Sequence, residues 1–391
     1  MKIFLTILYA SLCLVAKAQI KEFIVIDQST KQALSTVSVF FPDKNEGAVT
    51  NDDGKVKIYS SKNTADALVF SHVGYHTKKM EASEYLSVDT IKLIPSSILL
   101  KEVAVYSLDL KKKLADLLTN YEKLYVTQAS IHDCTYKESF EVNDTLARLA
   151  QLQIKWWDKN YRFNFKESFD KQNQISLTNI DYSKVLDSKS YFSNSGFIEN
   201  KFIFQWLHLN FYPIILNRGS DISLQSVAKY EKNTRVVFTT PIIEKGEVVM
   251  FLNDGIIYFD NETGAIEEID LNFKYNNQIK KGVSRKTKTP YTSEVKEHHI
   301  NLSFKKIDNQ KWMISSLKSV VKADVEYNNT RDNVQLTQEF IITKTTKGGR
   351  IPKSEQININ NPFHDNLPLK KNLDTKILLT QKEQDFINKK D

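Results

Sequence analysis

The chain has 391 residues, 41% of them hydrophobic and 26% charged, with 54 Lys and Arg against 47 Asp and Glu for a formal charge of +7. That length suits two or three domains with real cores, and the balanced composition excludes collagen-like, coiled-coil and wholly disordered chains. The basic residues fall in short scattered clusters (Lys111 to Lys113, Lys280-Lys281, Lys370-Lys371, Lys389-Lys390) instead of one dense stripe, so no nucleic-acid partner is expected.

Met1-Lys2, the apolar run Ile3 to Val15 and the small-x-small triplet Ala16-Lys17-Ala18 have the layout of a secretory signal peptide over residues 1–18. Removing those 18 of the 391 residues leaves a mature chain of 373, Gln19 to Asp391, expected to be exported and either periplasmic or associated with the outer membrane. No later stretch reaches the ~20 apolar residues of a membrane span. Cys13 leaves with the signal, and Ala10-Ser11-Leu12 before it fits a lipid-anchor site poorly. Cys134 is then alone, which excludes an internal disulfide or a cysteine-based zinc site. A neighbouring His132 raises the idea of an activated thiolate, but a small buried hydrophobe in a strand is the favoured reading.

From Ile20 to about Leu93 the sequence reads as short strands with no helical period: Phe23 to Asp27, Val37 to Phe41, Val56 to Ile58, Ala67 to Ser71, and Ile91 with Leu93. Strands of this length between Asp-Gly turns predict a small β-sandwich. Asn51-Asp52-Asp53-Gly54 is a turn in which Gly54 supplies positive φ. Asp53 lacks the spaced partners of a calcium loop. Gly74 is expected to mark a bulge or close backbone approach, with Tyr75 packed beside it.

Leu34 to Val39, Gly47 to Val56 and Leu68 to Tyr75, in that order, resemble the carboxypeptidase regulatory-like domain. The resemblance implies a transthyretin-like or Ig-like sandwich over residues 19–105. Leu100 to Val105 is similar to the segment that follows this domain in TonB-dependent outer-membrane transporters. The sequence departs from the pattern at Lys55-Val56, where the family carries an aromatic.

Leu110, Leu114, Leu117, Leu118, Tyr121 and Tyr125 then fall on one helical face. They predict a single amphipathic helix from Leu108 to Tyr125, within a joining segment 106–128, packed on a sheet. Residues 129–350 return to β-alternation. Val248 to Leu252, Asn253-Asp254-Gly255, Ile256 to Phe259, the Asn261 to Gly264 turn and Ala265 to Tyr275 read as a meander with hairpins at Gly255 and Gly264. With Ile300 to Phe304, Trp312 to Leu317, Val320 to Val325 and Leu336 to Thr343, they predict a large curved antiparallel sheet. The whole chain is therefore expected to be mainly β. Phe202 to Leu216 is its most apolar mature segment; Phe202, Phe204, Trp206 and Phe211 read as core, with a lid over an apolar ligand as the alternative. Thr380 and Glu383 form a capping box for a short helix in the tail, residues 351–391.

The helix, Tyr136-Lys137-Glu138, the Gly255 to Asp260 phrase and Lys311-Trp312 resemble bacterial envelope proteins that carry the same regulatory-like domain. The turn-and-strand phrase is also similar to lipoprotein-carrier half-barrels, which hold acyl chains on a curved sheet.

The motifs of catalysis are absent from the sequence. No His has Glu three positions on, as a zinc carboxypeptidase requires, and there is no His-Glu-x-x-His. His298-His299 are expected on opposite faces of a strand, and Glu267-Glu268 likewise diverge. Ser193 to Gly196 lacks the first glycine of a nucleophile elbow. No catalytic, metal or cofactor residue is therefore named. The leading expectation is a non-catalytic envelope protein whose sandwich docks the β-rich domain to an outer-membrane or periplasmic protein or a glycan. A carrier of lipid or another apolar ligand stands second, and a hydrolase built on a convergent acid pair or His–Asp pair third.

Overall fold

In the computed structural model the described residues are 19–44, 46–60, 66–96, 108–160, 164, 166–185, 221–244, 247–276, 279–283, 288–307, 311–358 and 378–389. The signal segment, Leu100 to Val105, and Phe202, Phe204, Trp206 and Phe211 lie outside them.

Alternating apolar side chains make the N-terminal strands two-faced, and two small sheets bury those faces against each other. β1 (Gln19–Asp27) lies between β4 (Lys55–Ser60), antiparallel, and β7 (Thr90–Leu93), parallel. The facing sheet runs β3 (Glu46–Val49), β2 (Ser38–Phe41), β5 (Leu68–Ser71), β6 (Lys78–Met80). Phe23 of β1 meets Phe70 of β5 edge to face at 5.5 Å between ring centroids, so one aromatic pair spans the sandwich. The sequence offers no helical period here, yet α1 (Ala82–Leu86) forms and drops Tyr85 into the core. One turn is too short for a period to register, but its Glu81/Glu84 capping box is there to read.

The predicted helix Leu108 to Tyr125 divides into α2 (Leu110–Thr119) and α3 (Tyr121–Leu124), broken at Asn120. The Asn120 side chain donates to the carbonyl of Asp116 at 2.9 Å, taking up an orphan acceptor at the helix end. The apolar face is as expected: Leu110, Leu114, Leu117 and Tyr121 are buried.

Eleven strands make the large sheet, all antiparallel: β8 (Ser130–Val142), β9 (Thr145–Asp158), β10 (Asn173–Val185, entered from the one-turn α4, Phe169–Gln172), β11 (Ser223–Lys229), β12 (Asn233–Glu244), β13 (Glu247–Asp260), β14 (Ile266–Tyr275), β15 (Ile279–Val283), β16 (Pro290–Ile307), β17 (Lys311–Tyr327) and β18 (Thr330–Lys347). Their order is β10-β9-β8-β18-β17-β16-β14-β13-β12-β11, with β15 beside the start of β16. The chain is mainly β, with a large curved half-barrel sheet.

Register sorts the side chains of this sheet by face. Ile269, Leu302, Leu317, Phe340, Tyr136 and Leu152 are successive cross-strand partners and form an apolar row. Helices α2 and α3 pack on that face, and Tyr125 accepts a hydrogen bond from the Ile266 N–H at 2.8 Å. One residue along, Asp270, Asn301, Lys318, Glu339, Lys137 and Gln151 form a second row on the opposite, polar face.

The Asn253-Asp254-Gly255 phrase is not a hairpin. β13 runs through it unbroken, with Asp254 at φ 50° and register shifts against both neighbours, so the residues make a bulge. Long strands on both sides outweigh the local turn preference. The Asn261 to Gly264 hairpin forms as expected, with Gly264 at φ 73° and Asp260 Oδ1 accepting from the Thr263 N–H at 2.7 Å.

The tail folds back as α5 (Gln381–Asn388), closed by the Thr380/Glu383 capping box. Leu379 and Phe386 pack on Leu146 and Leu149. Glu383 reaches Lys137 at 2.9 Å, and Lys137 also meets Glu339 at 2.9 Å. Burial alone would lower the Lys137 pKa, but the two carboxylates outweigh it and hold the ammonium charged.

Candidate functional site

The sandwich sits on the polar face of the large sheet. Lys344 of β18 pairs with Glu46 of β3, in backbone register and through a 2.7 Å ion pair. The Asn51 to Gly54 turn then makes the closest bridge. Asn51 Oδ1 accepts from the Asp53 and Lys55 N–H groups, which closes the turn. Asn51 Nδ2 donates to the Leu378 carbonyl, Asp52 binds Lys318 at 2.7 Å, and Asp53 accepts from the Gln381 N–H at 3.0 Å, at the first turn of α5. Residues read in the sequence as turn formers therefore also bind the two domains together.

Between the domains lies a cleft of about 630 Å³. One wall comes from the sandwich, with Ser38, Phe40, Ser71, His72 and Tyr75. The other comes from the large sheet, with Asn233, Asp260, Glu267, Glu268, Ser303, Lys305 and Trp312.

The carboxylates of the second wall correct an expectation. Phe259 pairs with Ile266 and Tyr258 with Glu268, so Glu267 is the extra residue of a bulge in β14. The extra residue breaks strict alternation, and both side chains face the cleft. Glu267 accepts from Asn233 Nδ2 at 2.9 Å, and Glu268 from Asn301 Nδ2 at 3.0 Å. Burial pushes each pKa up to about 7, ahead of the opposing hydrogen bonds, and neighbouring Asp260 and Asp270 add to the rise. Asn301 also reaches Asp270, which accepts from His299 Nε2 at 2.8 Å. His298 takes the other face of β16 beside Phe273, so these two histidines do diverge as expected.

Lys305 is only 4% exposed and lines the same cleft. Among the described residues it has no hydrogen-bond or ion-pair partner, and burial brings its pKa down to about 8. Nothing in the sequence singles it out, since it occupies an ordinary polar position after Ile300, Leu302 and Phe304.

Across the cleft, the Tyr75 hydroxyl donates to Asp27 Oδ2 at 2.7 Å. The Ser29 hydroxyl, the Thr30 N–H and Tyr75 together hold the Asp27 carboxyl well below the usual range. Burial and this carboxylate push the Tyr75 phenol up to about 12. Tyr75 is thus a fixed rim group whose ring meets His72 edge to face at 5.2 Å. Gly74 beside it has φ 80° and open space where a Cβ would stand, so the backbone conformation favours glycine here and close approach does not. Cys134 is buried in β8, and burial raises its pKa; His132 is occupied by Thr345 at 2.9 Å. Among the described residues no three His, Cys, Asp or Glu side chains converge as metal ligands.

Residues 24–105 match the family model of the CarboxypepD_reg-like domain. The match spans the sandwich and supplies the name for the cleft's first wall; strands β8 to β18 lie outside it. No curated protein matches the chain. Among solved structures, a LolA superfamily protein from Nitrosomonas europaea is similar at 10% identity, covering 64% of this chain and 97% of its own, with a TM-score of 0.20. A likeness at that level carries neither fold nor function across. No helix among the described residues is long and apolar enough to cross a membrane.

Proposed function

We propose that this is an exported cell-envelope protein that works by recognition, not catalysis, and that the cleft between the CarboxypepD_reg-like domain and the curved sheet binds a glycan. The observation that carries this reading is the cleft's composition. Its roughly 630 Å³ is lined by hydroxyls and amides from both domains (Ser38, Ser71, Asn233, Asn261, Ser303) together with the aromatic rings of Phe40, Tyr75 and Trp312. Small-molecule sites of this size place a few polar groups among apolar ones, and sugars offer hydroxyls to the first and ring faces to the second. The CarboxypepD_reg-like domain is typical of envelope proteins, which supports the location. Packing of α2 and α3 on the sheet's apolar face favours a glycan in the cleft over an acyl chain on that face.

The test is native mass spectrometry and calorimetry on protein purified from its own envelope fraction, using neutral and acidic oligosaccharides as probes. Binding of an oligosaccharide by the wild type is expected, together with a loss of at least about tenfold in Ser71→Trp, which fills the cleft from its half-buried wall. A lipid-sized retained mass, or oligosaccharide affinity untouched by Ser71→Trp, overturns the reading.

A further inference from the structure

We infer that Lys305 is the anchor for an anionic group, a carboxylate or a phosphate, on the ligand that fills the interdomain cleft. The inference rests on the glycan reading for the rest of the ligand and on separate observations for the anion. An ammonium that leaves water without a partner is unfavourable, and proteins pair almost all such groups. Lys305 is 4% exposed and unpartnered among the described residues. Three other lysines of this face are matched, Lys306 with Glu262 at 2.9 Å, Lys318 with Asp52, and Lys137 with Glu339 and Glu383, and Lys232 is exposed to water. Lys305, unlike these, lines the cavity with no protein partner among the described residues, and a charge-assisted hydrogen bond to a ligand would supply one.

The surroundings leave room for an anion at Lys305. Glu267 and Glu268, on the same wall, are each hydrogen-bonded to an amide and held near neutral pH by burial, so they do not present two full negative charges to the ligand. Apart from these two glutamates, the charges of the lining balance, with Lys232, Lys305 and Lys306 against Glu231, Asp260 and Glu262, and Glu262 is taken by Lys306.

Calorimetry of the full chain with trigalacturonate, with galactotriose as the neutral match, and with galactose 1-phosphate separates the two sources of charge. The wild type is expected to bind one acidic sugar about tenfold or more tightly than galactotriose. Lys305→Met is expected to lose that preference while keeping the weaker neutral binding, and Lys305→Arg to keep part of it. Lys305→Met removes an unpaired buried charge, so it folds with an unchanged or higher Tm; Lys305→Gln is the second neutral variant. A wild type with no acidic preference, or a Lys305→Met protein that retains it, overturns the inference. If no oligosaccharide binds at all, the glycan reading fails, and inorganic phosphate then tests the lysine alone. A phosphate-induced rise in Tm that Lys305→Met abolishes sustains the anion site, and its absence from the wild type overturns that site as well.

Discussion

Two glycines with nearly the same backbone conformation separate strain from crowding. Gly54 has φ 71°, and a Cβ there would lie 2.6 Å from the carbonyl oxygen of Val25. Gly74 has φ 80° with nothing within 4 Å of that position. Alanine at Gly74 therefore costs only the left-handed conformation, about 1 kcal/mol. At Gly54 the same cost adds to a collision with backbone that cannot rotate away, and the loss is expected to exceed about 2 kcal/mol. Urea denaturation of Gly54→Ala and Gly74→Ala checks this, and equal losses would sink the argument. The turn glycine was legible from Asp-Gly chemistry; the Val25 carbonyl against it was not, because β1 is distant in sequence.

At the scale of the element, one inserted residue in β14 decides the chemistry of the cleft. Strict alternation would send Glu267 and Glu268 apart, but the bulge opposite Tyr258 and Phe259 turns both toward the CarboxypepD_reg-like domain. The folded pKa of each is raised to about 7, above its ordinary value, so between about pH 4.5 and pH 7 the folded state holds protons that the unfolded chain has released. Stability from this pair is accordingly full at low pH and falls as pH rises through 7. Asp260, Asp270, Lys232 and Lys306 are the charged neighbours, and the pair's titration belongs to the group as a whole. Glu268→Gln keeps the shape and removes one titration. Thermal melts are expected to show it more stable than wild type at pH 8, by a few degrees, with little difference at pH 5. An equal difference at both values would show that the carboxylate is not disfavoured by the site. Bulges follow from how neighbouring strands fit, so sequence periodicity did not reveal this one, just as it read the bulge at Gly255 as a turn.

For the whole molecule, the polar row across the large sheet is where the separate parts meet. Asp52 of the sandwich binds Lys318, and Glu383 of α5 binds Lys137, with Glu339 between the two lysines. These contacts differ in weight. Asp52–Lys318 is solvent-exposed on its aspartate side, and such a pair is worth about 0–1 kcal/mol. Lys137 is 4% exposed, and removing it leaves Glu383 with only its cap bond from the Thr380 N–H and Glu339 with only Lys318. Lys137→Ala is expected to lose about 3–5 kcal/mol and to free α5 for proteolysis, whereas Asp52→Ala stays within about 1 kcal/mol. Chemical denaturation with limited proteolysis measures both, and a mild Lys137→Ala phenotype would remove the row as the organising contact.

The sequence by itself determined the mainly β class, the N-terminal sandwich with its Asp-Gly turn, the apolar face of α2 and α3, and the cap of α5. Each rests on a signal within a few residues: an alternation, a helical period, a turn or a capping box. Only the tertiary structure decided that the Asn51 to Asp53 turn clasps α5 and Lys318, that two glutamates share a wall, and that Lys305 is buried without a partner among the described residues. Those facts arise where strands far apart in the chain come into register. A residue's own neighbours in sequence carry no record of what the opposite domain places against it.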